Sequence, residues 1–175
     1  MYLLKRLKLA LFSIAAILVI TACSKVAEQS QPAEAGPSDQ RAEPIDLAVY
    51  KHPSCGCCQD WIEHVEDQGF SAKATNTEQL GSIKQEYGIG SQFRSCHTAV
   101  SPQGYVFEGH VPAKFVKKFL KEARPDAIGL AVPAMPVGSP GMEVGKQFMP
   151  YKVLLLKTDG SAEVFADIQS YQEQF

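Results

Sequence analysis

Val49-Tyr50-Lys51-His52-Pro53-Ser54-Cys55-Gly56-Cys57-Cys58-Gln59-Asp60-Trp61 puts three of the chain's five cysteines within four residues. The run that enters this cluster, Ile45 to Tyr50, is short and apolar and reads as a strand. The run that leaves it reads as a helix over Gly56 to Gln68. Cys58, Trp61, Ile62 and Val65 recur there at i, i+3, i+4 and i+7, and Gly69 is a natural stop. Thiols at a helix start feel the positive end of its dipole and its free N–H groups, which favours thiolate. Packing has no use for three adjacent thiols, so function is to be sought here.

Working outward, Phe70 to Thr75 reads as a second strand. Thr77 to Tyr87 reads as a second helix with Leu80, Ile83 and Tyr87 inward, closed by Gly88. His97 to Val100 and Tyr105 to Glu108 flank Ser101-Pro102-Gln103-Gly104, a hairpin signal. Pro112 opens a third helix with Phe115, Val116, Phe119 and Leu120 inward and Pro125 beyond its end. Gly129 to Pro150 reads as irregular, dense in Gly, Pro and Met. Tyr151 to Leu156 and Glu163 to Ala166 then form a hairpin across Asp159-Gly160. The order is βαβα, ββα, an extension and a hairpin. The expected fold is α/β and thioredoxin-like, with Cys-x-x-Cys (Cys55 and Cys58) at the first helix start. The Gly/Pro/Met-rich C-terminal extension is an addition to it. Cys57 supplies a third thiol that thioredoxins lack.

The chain has 175 residues, 45% of them hydrophobic, and a formal net charge of −2, which suits one domain with a proper core. Residues 1–22 stand outside that core. Lys5, Arg6 and Lys8 form a basic start, and Leu9 to Ile20 is an apolar run too short for a comfortable membrane span. It ends in Thr21-Ala22-Cys23, which resembles the lipobox of bacterial lipoproteins. On that reading residues 1–22 are a lipoprotein signal peptide and Cys23 is lipidated; the alternatives are a plain signal peptide or an anchor helix. Ser24, rather than Asp, after that cysteine leans toward the outer membrane. Residues 23–44, rich in Ala, Gln, Glu, Ser and Pro, read as a disordered tether, and 45–175 as the domain. Without residues 1–22 the chain holds 14 basic against 19 acidic residues, net −5. With no basic stripe, nucleic acid is not an expected partner. An exported thiol cluster must pair, bind metal or turn over.

Four thiols remain for chemistry: Cys55, Cys57, Cys58 and Cys96. In a thioredoxin-like fold the segment entering the hairpin faces the first helix start, so Cys96 and His97 should converge on the cluster. A structural thiol or half of a disulfide stays open for Cys96. Met135 and Met142 sit in a loop suited to neither helix nor strand. Thioethers with thiolates select Cu(I) over hard cations, and zinc makes little use of Met; simple packing of the loop is the other reading. Gly109 beside His110 suggests close backbone approach, and His110 stands with His97 as a candidate ligand. His64, seven residues past Cys57, is about 10 Å along the helix at 1.5 Å per residue, so surface or packing is expected. His52 is either near the site or simply exposed.

Taken together, Pro53-Ser54-Cys55-Gly56-Cys57-Cys58, Trp61, His64, Gly69-Phe70, Ser95-Cys96-His97-Thr98-Ala99, Glu108-Gly109-His110-Val111-Pro112-Ala113 and Gly129-Leu130-Ala131-Val132-Pro133 through Gly138-Ser139-Pro140-Gly141-Met142-Glu143 resemble the CxCC family of bacterial metal-binding domains, which includes the CopG-type copper-resistance proteins. The resemblance spans about residues 45–170. It implies a periplasmic thioredoxin-like domain whose extension helps bind copper at a cysteine-bridged site, with interconversion of Cu(I) and Cu(II). The cysteine motif falls on Cys55, Cys57, Cys58 and Cys96, and the His and Met motifs on His97, His110, Met135 and Met142. His52 and Met149 are not carried over.

The expectation is a lipid-anchored periplasmic copper protein, monomeric, holding more than one copper ion and dealing with copper efflux or chaperone components. Three rivals stand beside it, the third a passive zinc site. A metal-free thiol-disulfide oxidoreductase would use Cys55 and Cys58 as its catalytic pair. A passive copper carrier would need the ligands and no redox step.

Overall fold

The computed structural model describes residues 43–175, Ala123 apart. Cys23, the proposed signal peptide and most of the tether lie outside the described residues. No described helix is long and apolar enough to cross a membrane.

Seven strands form one sheet. β1 (Ile45–Lys51) leads into α1 (Gly56–Asp67), β2 (Phe70–Asn76) and α2 (Leu80–Glu86). A short 3-10 turn, Ser91–Phe93, precedes β3 (His97–Val100) and β4 (Val106–Glu108). Then come α3 (Ala113–Glu122), β5 (Ala127–Ala131), β6 (Tyr151–Lys157) and β7 (Ala162–Ile168). The strand order is β2-β1-β3-β4-β5-β6-β7. Pairs β1/β2 and β4/β5 are parallel, and all others are antiparallel. Each parallel pair is bridged by a helix, α1 or α3, because a parallel return needs a crossover too long for a turn.

Alternation along β1 turns Leu47, Val49 and Lys51 to one side, and α1 covers that side with Cys58, Trp61, Ile62 and Val65, all buried. From α3, Phe115, Val116 and Phe119 join the same cluster, which Leu130 of β5 and Val153 and Leu155 of β6 complete. A smaller cluster gathers Ile89, Val100, Val106, Ala131 and Leu156. Burying a side chain of this size contributes about 1.5–3 kcal/mol. Trp61 does more, since its indole N–H donates to the Val111 carbonyl at 2.9 Å and ties α1 to the segment carrying His110.

Two expectations need correction. Gly129 to Pro150 is not irregular throughout, because Gly129, Leu130 and Ala131 end β5, pairing with Val106, Phe107 and Glu108. Gly129 was read as a loop signal, yet its φ is +152° and a Cβ there would collide with the Val106 carbonyl. It is a glycine of close strand approach. The second helix is also shorter than Thr77–Tyr87. Thr77 lies outside it and accepts the Gln79 N–H on its hydroxyl. Leu80, Ile83 and Tyr87 are only half-buried, and the buried residue of α2 is Lys84.

Candidate metal centre

α1 starts bare. Cys55 occupies its N-cap position in an extended conformation, no side chain caps the first N–H groups, and no acidic residue sits in the first turn. The end of the helix dipole is thus left to the thiols. Cys55 and Cys58 are joined as a disulfide, with Cα atoms 5.4 Å apart, within ordinary disulfide spacing. Cys57 and Cys96 are free thiols. Cys57 Sγ lies 3.6 Å from Cys55 Sγ, and Cys58 Sγ lies 3.8 Å from the Cys96 carbonyl oxygen.

Cys96, thirty-eight residues downstream of Cys58, arrives from the segment entering β3, as the thioredoxin-like reading expected. The sulfurs of Cys55, Cys57, Cys58 and Cys96 all lie within 4.8 Å of one another. A second group, equally tight, joins Cys96 to His97 and His110. Its contacts are Cys96 Sγ to His110 Nε2 at 3.0 Å and to His97 Nδ1 at 3.3 Å. One sulfur therefore belongs to both donor groups.

The imidazoles are fully buried. His97 packs against Trp61, ring centroids 4.5 Å apart, and meets His110 edge-on at 5.1 Å. His110 Nδ1 is 2.8 Å from the Pro140 carbonyl. That carbonyl can only accept, so the proton sits on Nδ1 and the Nε2 lone pair faces Cys96. His97 Nε2 has no hydrogen-bond partner among the described residues. Burial holds both rings below the usual imidazole range, so they are neutral, lone-pair donors at pH 7. Burial, seconded by nearby Cys57, pushes the Cys96 thiol up to about 12. A metal ion must therefore displace the Cys96 proton to bind.

The extension closes over this site through its backbone. The Ser95 hydroxyl donates to the Ala134 carbonyl, and Ala134, at φ +59°, sets the direction of the chain into Met135. Gly141 lies against α1, where a Cβ would stand 2.7 Å from the Cys57 carbonyl and 2.6 Å from the Trp61 nitrogen. Met142 follows it, partly buried, with its N–H on the Ser139 carbonyl at 2.7 Å. Met135 is half exposed. The segments bearing both methionines are thus anchored on the two sides of the centre, one beside Cys96 and one beside Cys57.

The remaining histidines belong to neither donor group, as expected for His64. His64 Nε2 accepts the Ala113 N–H at 3.1 Å. His52 is exposed, its Nδ1 2.7 Å from the Ser54 hydroxyl. Sequence reasoning missed Lys84, Thr98 and Glu108, whose buried polar cluster lies behind Ser95. A charged residue inside the apolar run Val106-Phe107-Glu108 was the available signal.

The arrangement offers thiolate sulfur, imidazole nitrogen and nearby thioether, a soft and polarisable donor set, together with a dithiol that can hold or release two electrons. The family model for a protein of unknown function, DUF411, matches residues 93–142, the stretch from Cys96 to Met142. No curated protein matches the chain. Two solved structures, forms 1 and 2 of a copper resistance protein copG, each align with TM-score 0.68 and 41% identity. The alignment covers 73% of this chain and 100% of theirs. With that identity sustained over their full length, the chain belongs to the CopG family of copper resistance proteins.

Proposed function

We propose that this protein is a copper-binding protein of copper resistance, thioredoxin-like in fold, held in the periplasm by lipid on Cys23, and that it interconverts Cu(II) and Cu(I). The observation that carries the copper reading is the shared sulfur of Cys96, which joins a four-sulfur group to a buried imidazole pair. Two donor groups with a common thiolate suit more than one ion bridged by cysteine. Soft sulfur favours Cu(I), and imidazole serves Cu(II) as well. Met135 and Met142, on segments anchored beside the cysteines, add thioether, which zinc rarely uses. The fold reading rests on β1 feeding a helix with Cys-x-x-Cys at its start, on parallel β1/β2, and on antiparallel β3 and β4 completing the order β2-β1-β3-β4.

The redox step balances within these residues and copper. Thiolates Cys55 and Cys58 each give one electron to a Cu(II), the S–S bond forms, and two Cu(I) result. Their thiol protons have gone to solvent. A dithiol donor must reduce the pair again before a further cycle.

The disulfide itself also favours a second reading, a metal-free thiol-disulfide oxidoreductase. One set of measurements separates the two. Reduced, anaerobic protein is offered Cu(I) against zinc, and Cys57→Ser is compared with Cys55→Ser and Cys58→Ser in copper affinity and in disulfide-reductase rate. Copper displacing zinc at more than one ion per chain, with Cys57→Ser as damaging as the other two, supports the copper function. Tightly held zinc that copper leaves in place, or disulfide activity lost only in the Cys55 and Cys58 variants at unchanged copper affinity, supports its rivals.

A further inference from the structure

Cys96 sits where regular backbone pairing runs out. The ladder between β1 and β3 begins at Lys51 and His97, and the Gly109 N–H holds the His97 carbonyl at 2.9 Å. Residues 94–96 precede that ladder and depend on other partners. Arg94 donates from Nε to the Ile89 carbonyl at 3.1 Å. The Ser95 N–H, one peptide before Cys96, donates to a side chain, Glu108 Oε1, at 2.5 Å.

That carboxylate is wholly buried. It also receives Lys84 Nζ at 2.5 Å on the same oxygen and the Thr98 hydroxyl at 2.6 Å on the other. Lys84, 4% exposed, donates further to Thr98 Oγ1 at 2.9 Å. One hub thus joins α2, β3, β4 and the Cys96 segment. Stability alone does not call for ions here, because a well-packed apolar pair in place of a buried ion pair is often no less stable. What an apolar pair cannot do is accept the Ser95 N–H.

We propose that Glu108 is a positioning residue for the metal centre. Its carboxylate fixes the Arg94–Ser95 peptide, the one just before Cys96, so that one sulfur faces both the cysteines of α1 and the two imidazoles, with Lys84 as its counter-charge. The proposal rests on the metal-binding reading above and deepens it. Neither residue touches a candidate ligand atom, so the effect runs through the peptide that Glu108 holds.

The test compares two charge-free double variants of the full chain, Lys84→Met with Glu108→Gln and Lys84→Met with Glu108→Leu. They differ in whether position 108 can accept the Ser95 N–H. The Gln pair should bind Cu(I) near wild type. The Leu pair should lose about 10–100-fold in affinity, as changes in groups that orient metal ligands do. A second readout needs no copper. In the copper-free, disulfide-bonded chain, alkylation at Cys96, located by peptide mapping, should quicken only in the Leu pair. Should the Leu pair not fold, Ser95→Pro removes the same N–H and leaves the Lys84–Glu108–Thr98 cluster intact; Arg94, at φ −71° and ψ 145°, already suits the residue before a proline. Ser95→Ala is its control for the lost hydroxyl. Equal copper affinity and equal Cys96 alkylation in the Gln and Leu pairs, or in Ser95→Pro and Ser95→Ala, overturns the assignment. If wild type itself takes up no Cu(I), the copper reading fails while the alkylation rates still decide whether Glu108 holds Cys96.

Discussion

His64 closes the N-terminus of α3 with a lone pair. Its Nε2 accepts the Ala113 N–H, and its ring meets Phe175 edge-on at 5.7 Å. Burial outweighs the opposing pull of Asp67 and lowers its pKa to about 4. Protonation would turn the acceptor into a donor aimed at another donor. An unfolded chain protonates the same group near pH 6.5, so below that value acid favours unfolding. The contribution is whole above about pH 6.5 and is lost as the pH falls toward 4. Discounted for partial exposure, it amounts to about 2 kcal/mol. Denaturant titrations of the copper-free protein and of His64→Gln from pH 7 to 4 should therefore converge as acid is added. Parallel curves would remove His64 as the source. The sequence separated this histidine from the candidate ligands by helix arithmetic alone, and it named the cysteines, His97 and His110 as candidates because donor type is legible in a residue's chemistry. Lys84 and Glu108 stayed hidden for the opposite reason. A lysine on a short helix and a glutamate beside a glycine normally face water, and only the folded chain brings their charges together.

At the scale of elements, the centre depends on a loop lying flat against a helix. Gly141 has φ +83° and leaves no space for a Cβ between itself and the first turn of α1, whereas Gly145, at φ +58°, has nothing within 4 Å of where its Cβ would stand. Alanine at 145 should cost only the backbone term, about 1–2 kcal/mol for a left-handed residue. Alanine at 141 carries that cost and must also lift the loop from Cys57 and Trp61. Gly141→Ala should therefore weaken Cu(I) retention, read by a competing chelator, while Gly145→Ala leaves it near wild type. Equal copper affinity in the two variants would mean that docking of the extension is not needed for the centre. Helix periodicity made α1 and α3 readable, and turn chemistry made both hairpins readable. The strand β5 was not, because Ala127-Ile128-Gly129-Leu130-Ala131 offers one glycine at a point of close approach, and glycine in a Pro-rich neighbourhood reads as loop. Its parallel pairing to β4 is a non-local fact that no local pattern carries.

For the whole molecule, β5 changes what the C-terminal part is. The hairpin β6/β7 is not a separate appendage, since β6 pairs with β5 and so extends the sheet of the half that carries the candidate centre to seven strands. The segment between β5 and β6 carries Met135, Gly141 and Met142, so both of its ends are fixed by the sheet while its middle lies on α1. A copper site placed this way needs access from outside, and the proposed location follows from residues beyond those described. Thr21-Ala22-Cys23 after a short apolar run predicts lipid on Cys23, and the polar stretch to residue 44 gives the domain reach from a membrane surface. One acyl-bearing cysteine is the only attachment this reading provides. Cys23→Ala should then abolish incorporation of labelled fatty acid and move the protein out of the outer-membrane fraction. The isolated variant should bind Cu(I) as wild type does, because the two donor groups of the described residues are built from Cys55, Cys57, Cys58, Cys96, His97 and His110. If wild type and variant fractionate alike and neither takes up the label, the anchor is wrong. If the variant loses copper as well, the separation between anchor and centre is wrong too.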